Sequence, residues 1–186
     1  MTLHHKQQVI VESIQDYHMT FVTAGHATGK TTVARHVIDN WKGHVLCNAP
    51  TDRQFDILVD GVDRLKFTRL SADMSEAMRY LHGTQNNLIV FDEAAGVDPD
   101  VWEMLMPLLN GRGSRFLAIG TPPLVEEGLN PFLNAWESNI GNNIRVSCED
   151  VAGQDGLVTR EWIEDKKYRW GDTSKTYLRR VLGLIV

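Results

Sequence analysis

Cysteine is scarce in this chain of 186 residues. Cys47 and Cys148 stand far apart and form no CxxC pair. That excludes a disulfide framework and a thiolate zinc site, and both residues read as reduced thiols buried as small apolar groups. Seven histidines are scattered with no pair at zincin spacing, and His4–His5 reads as solvated. No apolar run approaches the length needed to span a bilayer, and the opening MTLHHKQQ lacks a signal-peptide core. A cytosolic, non-membrane protein is therefore expected. Basic charge is also in short supply: 19 Lys and Arg against 24 Asp and Glu give a net charge of −5. A surface coated with positive potential for nucleic acid is excluded, although a local basic patch is not. Internal repeats, low-complexity tracts and linkers are lacking too, so one domain spanning 1–186 is the simplest account.

What the chain does have is alternation. Short apolar runs trade places with amphipathic helical patterns, which is the signature of an α/β fold with a mostly parallel sheet. Gln7, Ile10, Val11 and Ile14 fall on one face of a first helix. The runs Met19–Thr23, His44–Asn48, Asn87–Asp92, Arg115–Gly120 and Asn143–Ser147 read as strands. Helices are expected from Val33 to Trp41, from Phe55 to Leu65, and from about Asp100, where Pro107 should kink or end the last of these. Residues 66–84 carry no assignable pattern. From Thr159 on, two helices are split by Gly171–Asp172.

Between the first strand and its helix lies AGHATGKT, Ala24–Gly25–His26–Ala27–Thr28–Gly29–Lys30–Thr31. This matches the Walker A phosphate loop, with Ala24 where a first glycine is usual. Small residues there let successive backbone N–H groups face a phosphate at a helix N-terminus. Gly25 and Gly29 would supply permissive dihedrals. Lys30 would reach the β- and γ-phosphates, Thr31 would ligate Mg²⁺, and Thr28 or Thr32 would add a phosphate hydrogen bond. The run LIVFDE then places Asp92 at the carboxyl end of a buried strand, where it would hold the same ion, with Glu93 next to it to activate water. The plainer reading, Asp92 capping a turn beside a solvated Glu93, is outweighed by the phosphate loop upstream. Gly120–Thr121–Pro122 ends another strand. It reads equally as a γ-phosphate sensor or as an ordinary turn.

With these elements in place, the chain resembles the ATPase domain of the large terminase subunit, the motor that packages DNA in tailed phages. The resemblance runs through KQQVIVESI, AGHATGKT, NAPTDRQ at Asn48–Gln54, LHGTQNNLIVFDEAAGVD at Leu81–Asp98, IGTP at Ile119–Pro122 and YLRRVLG at Tyr177–Gly183. It implies a P-loop NTPase fold of the RecA-like, ASCE type, a three-layer sandwich around a mostly parallel sheet. The ATPase core would occupy about 1–157, with C-terminal helices over 158–186. It also implies ATP and Mg²⁺ as cofactors, with Gln7, or else Gln8, on the adenine base and Thr121 coupling hydrolysis to movement. An arginine would meet the γ-phosphate, often from a neighbouring subunit. Arg79 is the candidate, with Arg64, Arg69 and Arg112 as rivals. The implied partners are double-stranded DNA and a homo-oligomeric ring on a portal or procapsid with a small terminase subunit, in the cytoplasm of an infected or lysogenic bacterial host.

The chain departs from the family twice. His26 stands where arginine is frequent, which puts a constant positive contact in doubt. The sequence given stops at Val186, which leaves no room for the family's nuclease domain, so nuclease activity is not expected of it. Arg112, Arg115 and the run Lys166–Lys167–Arg169 are candidates to face DNA, the run reading also as a solvated helix face. Two other functions fit the same motifs: a different nucleic-acid-stimulated P-loop ATPase, and a shortened nucleotide-binding assembly module with little turnover.

Overall fold

The computed structural model describes residues 2–70, 86–106, 109, 113–125 and 130–186. Helix α1 (His5–Asp16) leads into β1 (Met19–Ala24), and α2 (Lys30–Asn40) into β2 (Val45–Asn48). After α3 (Asp52–Val59) come β3 (Phe67–Arg69) and β4 (Leu88–Asp92), then a single 3-10 turn at Ala94–Gly96. Helix α4 (Pro99–Leu105), β5 (Arg115–Gly120), α5 (Pro131–Glu137) and β6 (Asn142–Val146) follow. The described chain closes with α6 (Cys148–Val151), α7 (Arg160–Trp170) and α8 (Lys175–Arg180).

The six strands among the described residues lie in one sheet, ordered β3-β2-β4-β5-β1-β6, and every pairing is parallel. The five expected strands are present. The sixth, β3, falls in the segment without an assignable pattern, because three edge residues are too few to show alternation. Helix α4 stops at Leu105; Pro107, expected to end it, lies outside the described residues.

Side-chain alternation sends each strand's residues to two cores. Val22, Val45, Leu88, Val90, Leu117 and Ile119 join the aliphatic face under α1, α2, α3, α7 and α8. Phe21, Leu46, Ile89, Phe91, Phe116 and Ala118 join the opposite face under α4 and α5. That second core is aromatic. The Trp102 ring meets Phe91 edge-on at 4.9 Å and Phe116 at 5.5 Å, a geometry that adds to simple area burial. Helices therefore cover both sides of the sheet, giving three layers.

Because all the strands run one way, their carboxyl ends share one edge, the usual ligand edge of such sheets. Strand β5 lies between β4 and β1. The ends of these strands, Asp92, Gly120 and Ala24, are thus brought side by side from three distant parts of the sequence.

Candidate active site

The loop after β1 is shaped by two different glycine requirements. Gly29 sits in the left-handed region (φ 77°, ψ 29°) and starts α2 with no side-chain cap, a conformation that L side chains rarely adopt. Gly25 has no positive φ, so the expectation of a permissive dihedral there is corrected. Its need is space: a Cβ would lie 2.7 Å from both Cys148 Sγ and the Val181 carbonyl oxygen. Ala24 is the buried last residue of β1. The Gly25 N–H donates to Val146 O at 3.0 Å and the His26 N–H to Arg180 O at 2.8 Å. Among the described residues, the N–H groups from Ala27 to Thr31 have no acceptor. Together with the start of α2 they form a concavity of aligned donors suited to an anion. The donor set is therefore shorter than the motif, beginning at Ala27.

Lys30 leads α2 and is buried. Its Nζ donates to Gly25 O at 3.1 Å and lies 3.4 Å from Glu93 Oε1. Thr31 Oγ1 donates to Asp92 Oδ2 at 2.7 Å. The Thr28 hydroxyl donates to Gly25 O at 3.0 Å, inside the loop. Thr32 instead lines a polar cleft between α2 and the turn after α3, with Arg35, Asp39 and Asp60.

Asp92 is only 1% exposed. Burial is the main reason its carboxyl is pushed up to about 6, with Glu93 adding to the rise, while the Thr31 hydroxyl and Lys30 pull it down. Asp92 Oδ1 is buried with no hydrogen-bond partner, an unusual state for a carboxylate oxygen. A divalent cation fits the pair formed by the Thr31 hydroxyl and the unpartnered, buried Asp92 carboxylate oxygen. No cluster of three or more His, Cys, Asp or Glu able to hold a metal occurs among the described residues. Mg²⁺ held by one hydroxyl, one carboxylate and substrate phosphates needs none.

Glu93 is held in the left-handed region (φ 47°, ψ 47°), a conformation costly for a non-glycine residue. Its side chain is 32% exposed, between Lys30 and the Thr121 N–H, which donates to Oε2 at 3.5 Å. Gly120 permits this approach, since a Cβ there would lie 2.9 Å from Ala94 N. Thr121 thus stands beside Glu93 because β5 neighbours β4.

His26 is half-buried, and burial followed by the positive charges of Lys30 and Arg180 lowers its proton affinity. It therefore sits neutral above its lowered value and does not replace an arginine as a standing charge. Gln7 is buried against the loop, with Nε2 donating to Gly29 O at 3.1 Å. The exposed Gln8 turns away to Leu3 O. Among the arginines, Arg79 and Arg112 lie outside the described residues. Arg64 is exposed, and Arg69 pairs with Asp52 at 2.7 Å while covering the Phe55 ring. Arg115 donates from Nε to Ile14 O at 3.1 Å and from Nη2 to Gln15 O at 3.4 Å. It closes the C-terminal end of α1, which gives it a structural role. Lys166, Lys167 and Arg169 pair with Asp165 or Asp172 on or beside α7.

The sequence pattern missed His4, Cys148 and Arg179. His4 Nε2 meets Thr28 O, Cys148 Sγ donates to His26 O at 3.2 Å, and Arg179 Nε donates to Pro122 O at 2.8 Å. The one available signal was His4 three residues before Gln7, which is capping-box spacing with an unusual cap residue.

Solved structures share this arrangement of strands. A mutant of the large terminase ATPase domain of Thermus phage P74-26 aligns with a TM-score of 0.68 at 18% identity, over 100% of this chain and 95% of that one. The chain has the fold of the phage large-terminase ATPase domain. The large terminase of a thermophilic bacteriophage in complex with ADP aligns at 0.63 and 14% identity, over 100% of this chain and 54% of that one. This chain thus spans about half the length of that terminase. The Pif1 helicase from Candida albicans aligns at 0.53 and 17% identity, over 89% of this chain and 47% of its own. No protein-family model matches the sequence, and no curated protein matches it. The shared architecture is the RecA-like α/β fold of P-loop ATPases, and among the described residues no helix is long and apolar enough to cross a membrane.

Proposed function

We propose that this chain is the ATP-hydrolysing motor domain of a large-terminase-type DNA packaging machine. The observation that carries the reading is the Thr31–Asp92 hydrogen bond at 2.7 Å beside the Lys30–Glu93 pair at 3.4 Å, with free loop N–H groups adjoining both. The N–H groups from Ala27 to Thr31 and the Lys30 ammonium bind the phosphates. Thr31 and Asp92 would hold Mg²⁺, which neutralises charge between the β- and γ-phosphates when bound. Glu93 accepts a proton from the attacking water and orients it, and Lys30 offsets the charge that develops. Gln7 faces the nucleotide end of the loop. Thr121 and Pro122, tied to Glu93 and to Arg179, carry the loss of γ-phosphate towards α8.

The DNA-packaging part of this reading rests on the likeness to terminase ATPase domains, at 11–18% identity. It entails double-stranded DNA as the moved partner and a homo-oligomeric ring on a portal or procapsid, fed by a small terminase subunit in the bacterial host cytoplasm. Arg79 is the proposed arginine supplied to a neighbour's γ-phosphate. A helicase-like ATPase is the second reading, favoured by the alignment with the Candida albicans Pif1 fold. The test is ATP turnover by the whole chain across protein concentration, with Glu93→Gln alongside. Turnover in that variant should fall about a thousandfold while nucleotide binding survives. Undiminished turnover would remove Glu93 from the mechanism. A rate per subunit that rises with concentration favours the ring, and stimulation by single-stranded rather than duplex DNA favours the helicase-like reading.

A further inference from the structure

The phosphate loop is braced from its N-terminal side by a residue that the chemistry above does not use. His4 caps α1: its Nδ1 accepts from the Gln7 N–H at 3.3 Å, and Gln7 Oε1 accepts from the His4 N–H at 3.2 Å. A ring nitrogen that accepts from a backbone N–H carries no proton, so the neutral ring is protonated at Nε2. That Nε2 lies 3.4 Å from Thr28 O. One neutral imidazole therefore caps the helix and donates to the loop at once.

The consequence follows from peptide geometry. A trans peptide is planar, with its C=O and N–H pointing in opposite directions. Fixing Thr28 O therefore aims the Gly29 N–H, and fixing Gly29 O, as Gln7 Nε2 does at 3.1 Å, aims the Lys30 N–H. Both N–H groups belong to the anion-facing set. We propose that His4 is a positioning residue for phosphate binding, its neutral ring holding the Thr28–Gly29 peptide with the Gly29 N–H turned to the anion. This rests on the reading of the loop as a nucleotide site.

A protonated ring has donors at both nitrogens, so it cannot accept from the Gln7 N–H and loses the cap, while its Nε2–H still donates to Thr28 O. The charged groups around the ring are His5 on α1, Asp150 on α6, which also pairs with Lys6 at 3.8 Å, and Lys30 across a small shared void. Burial is the largest influence and favours the neutral ring. The Thr28 carbonyl and Asp150 oppose it, and His5 adds to it. The cap is therefore intact at neutral pH and lost as pH falls through the lowered His4 value, whereas the donor to Thr28 O is present on both sides of it.

The experiment measures binding of a slowly hydrolysed Mg·ATP analogue by the whole chain, with His4→Asn, His4→Ala and Lys30→Ala alongside. Asn caps helices well but is too short to reach Thr28. His4→Asn should keep the native thermal midpoint and weaken binding about fivefold at neutral pH, the worth of one hydrogen bond. His4→Ala, which loses cap and brace, should weaken binding at least as much. Native affinity in either variant overturns the proposal, as does a His4→Asn defect that comes with a lowered thermal midpoint. A native chain that binds no better than Lys30→Ala overturns the nucleotide reading and this proposal with it.

Discussion

The phosphate loop and the acidic turn share one sheet edge but are built in opposite ways. The loop is held from three sides, by α1 through His4 and Gln7, by β6 through Val146 O, and by the end of α8 through Arg180 O, while its N–H groups from Ala27 to Thr31 face outward. The turn after β4 keeps a carboxylate oxygen without a partner at Asp92 and a non-glycine residue in left-handed geometry at Glu93. The binding half is anchored because distant segments bond its carbonyls and its first two N–H groups. The chemical half is costly because it holds charge and backbone where folding alone would not put them. Substitutions in the loop should therefore weaken both the fold and nucleotide binding. Those in the turn should trade activity for stability.

Gly25→Ala breaks the comparison hardest. The new methyl group would meet Cys148 Sγ and Val181 O at 2.7 Å, and a backbone carbonyl yields little. The expected loss is about 3 kcal/mol, the upper end for overpacking, read by chemical denaturation, with weakened binding of the ATP analogue. Native stability in this variant would mean that the loop is not held by close packing against the C-terminal segment.

The opposite sign is expected at Asp92→Asn. The Asp92 carboxyl titrates at about 6 instead of 3.8, so the folded chain binds more protons than the unfolded chain between those values. Stability then falls as pH rises through that window, and the cost of the charge is complete above it. Asn carries no charge, so the variant should be about 2 kcal/mol more stable at neutral pH in metal chelator, an order-of-magnitude figure for a shift of this kind. That gain should vanish below the unfolded value, while Mg-dependent ATP hydrolysis is lost. A destabilised Asp92→Asn at neutral pH would place the turn in the same class as the loop.

What the sequence revealed divides along the same line. Strand ends and motif residues were legible because alternation and the spacing of AGHATGKT and LIVFDE are local signals, and the sheet brings Lys30, Thr31, Asp92 and Glu93 together. The placement of Thr121 was legible only conditionally, because nothing local says that β5 lies between β4 and β1. Gly25 illustrates the limit. A loop glycine suggested dihedral freedom, whereas its reason is contact with residues more than a hundred positions away. Arg115 looked like a surface cation for the same reason, since its acceptors are carbonyls at the end of α1. Helix α5 and strand β3 were not legible because short elements carry too few residues to show a period.

The smallest effect tests how the loop meets the C-terminal segment. Cys148 heads α6, and its thiol donates to His26 O at 3.2 Å and Arg180 O at 3.5 Å while packing against Gly25. A thiol is a weak donor and its removal leaves a small gap, so Cys148→Ala should cost only about 1 kcal/mol. Its value lies in combination. In Gly25→Ala the added methyl faces the thiol and the Val181 carbonyl at equal distance, and truncating Cys148 relieves only the first. The double variant should therefore be more stable than the sum of the single effects implies, by about 1 kcal/mol, without reaching the native value. Full recovery would assign the whole constraint on Gly25 to the thiol. Strict additivity would show that the Arg180 and Val181 carbonyls set it, and that the phosphate loop is locked by the backbone at the end of α8 rather than by the side chain of α6.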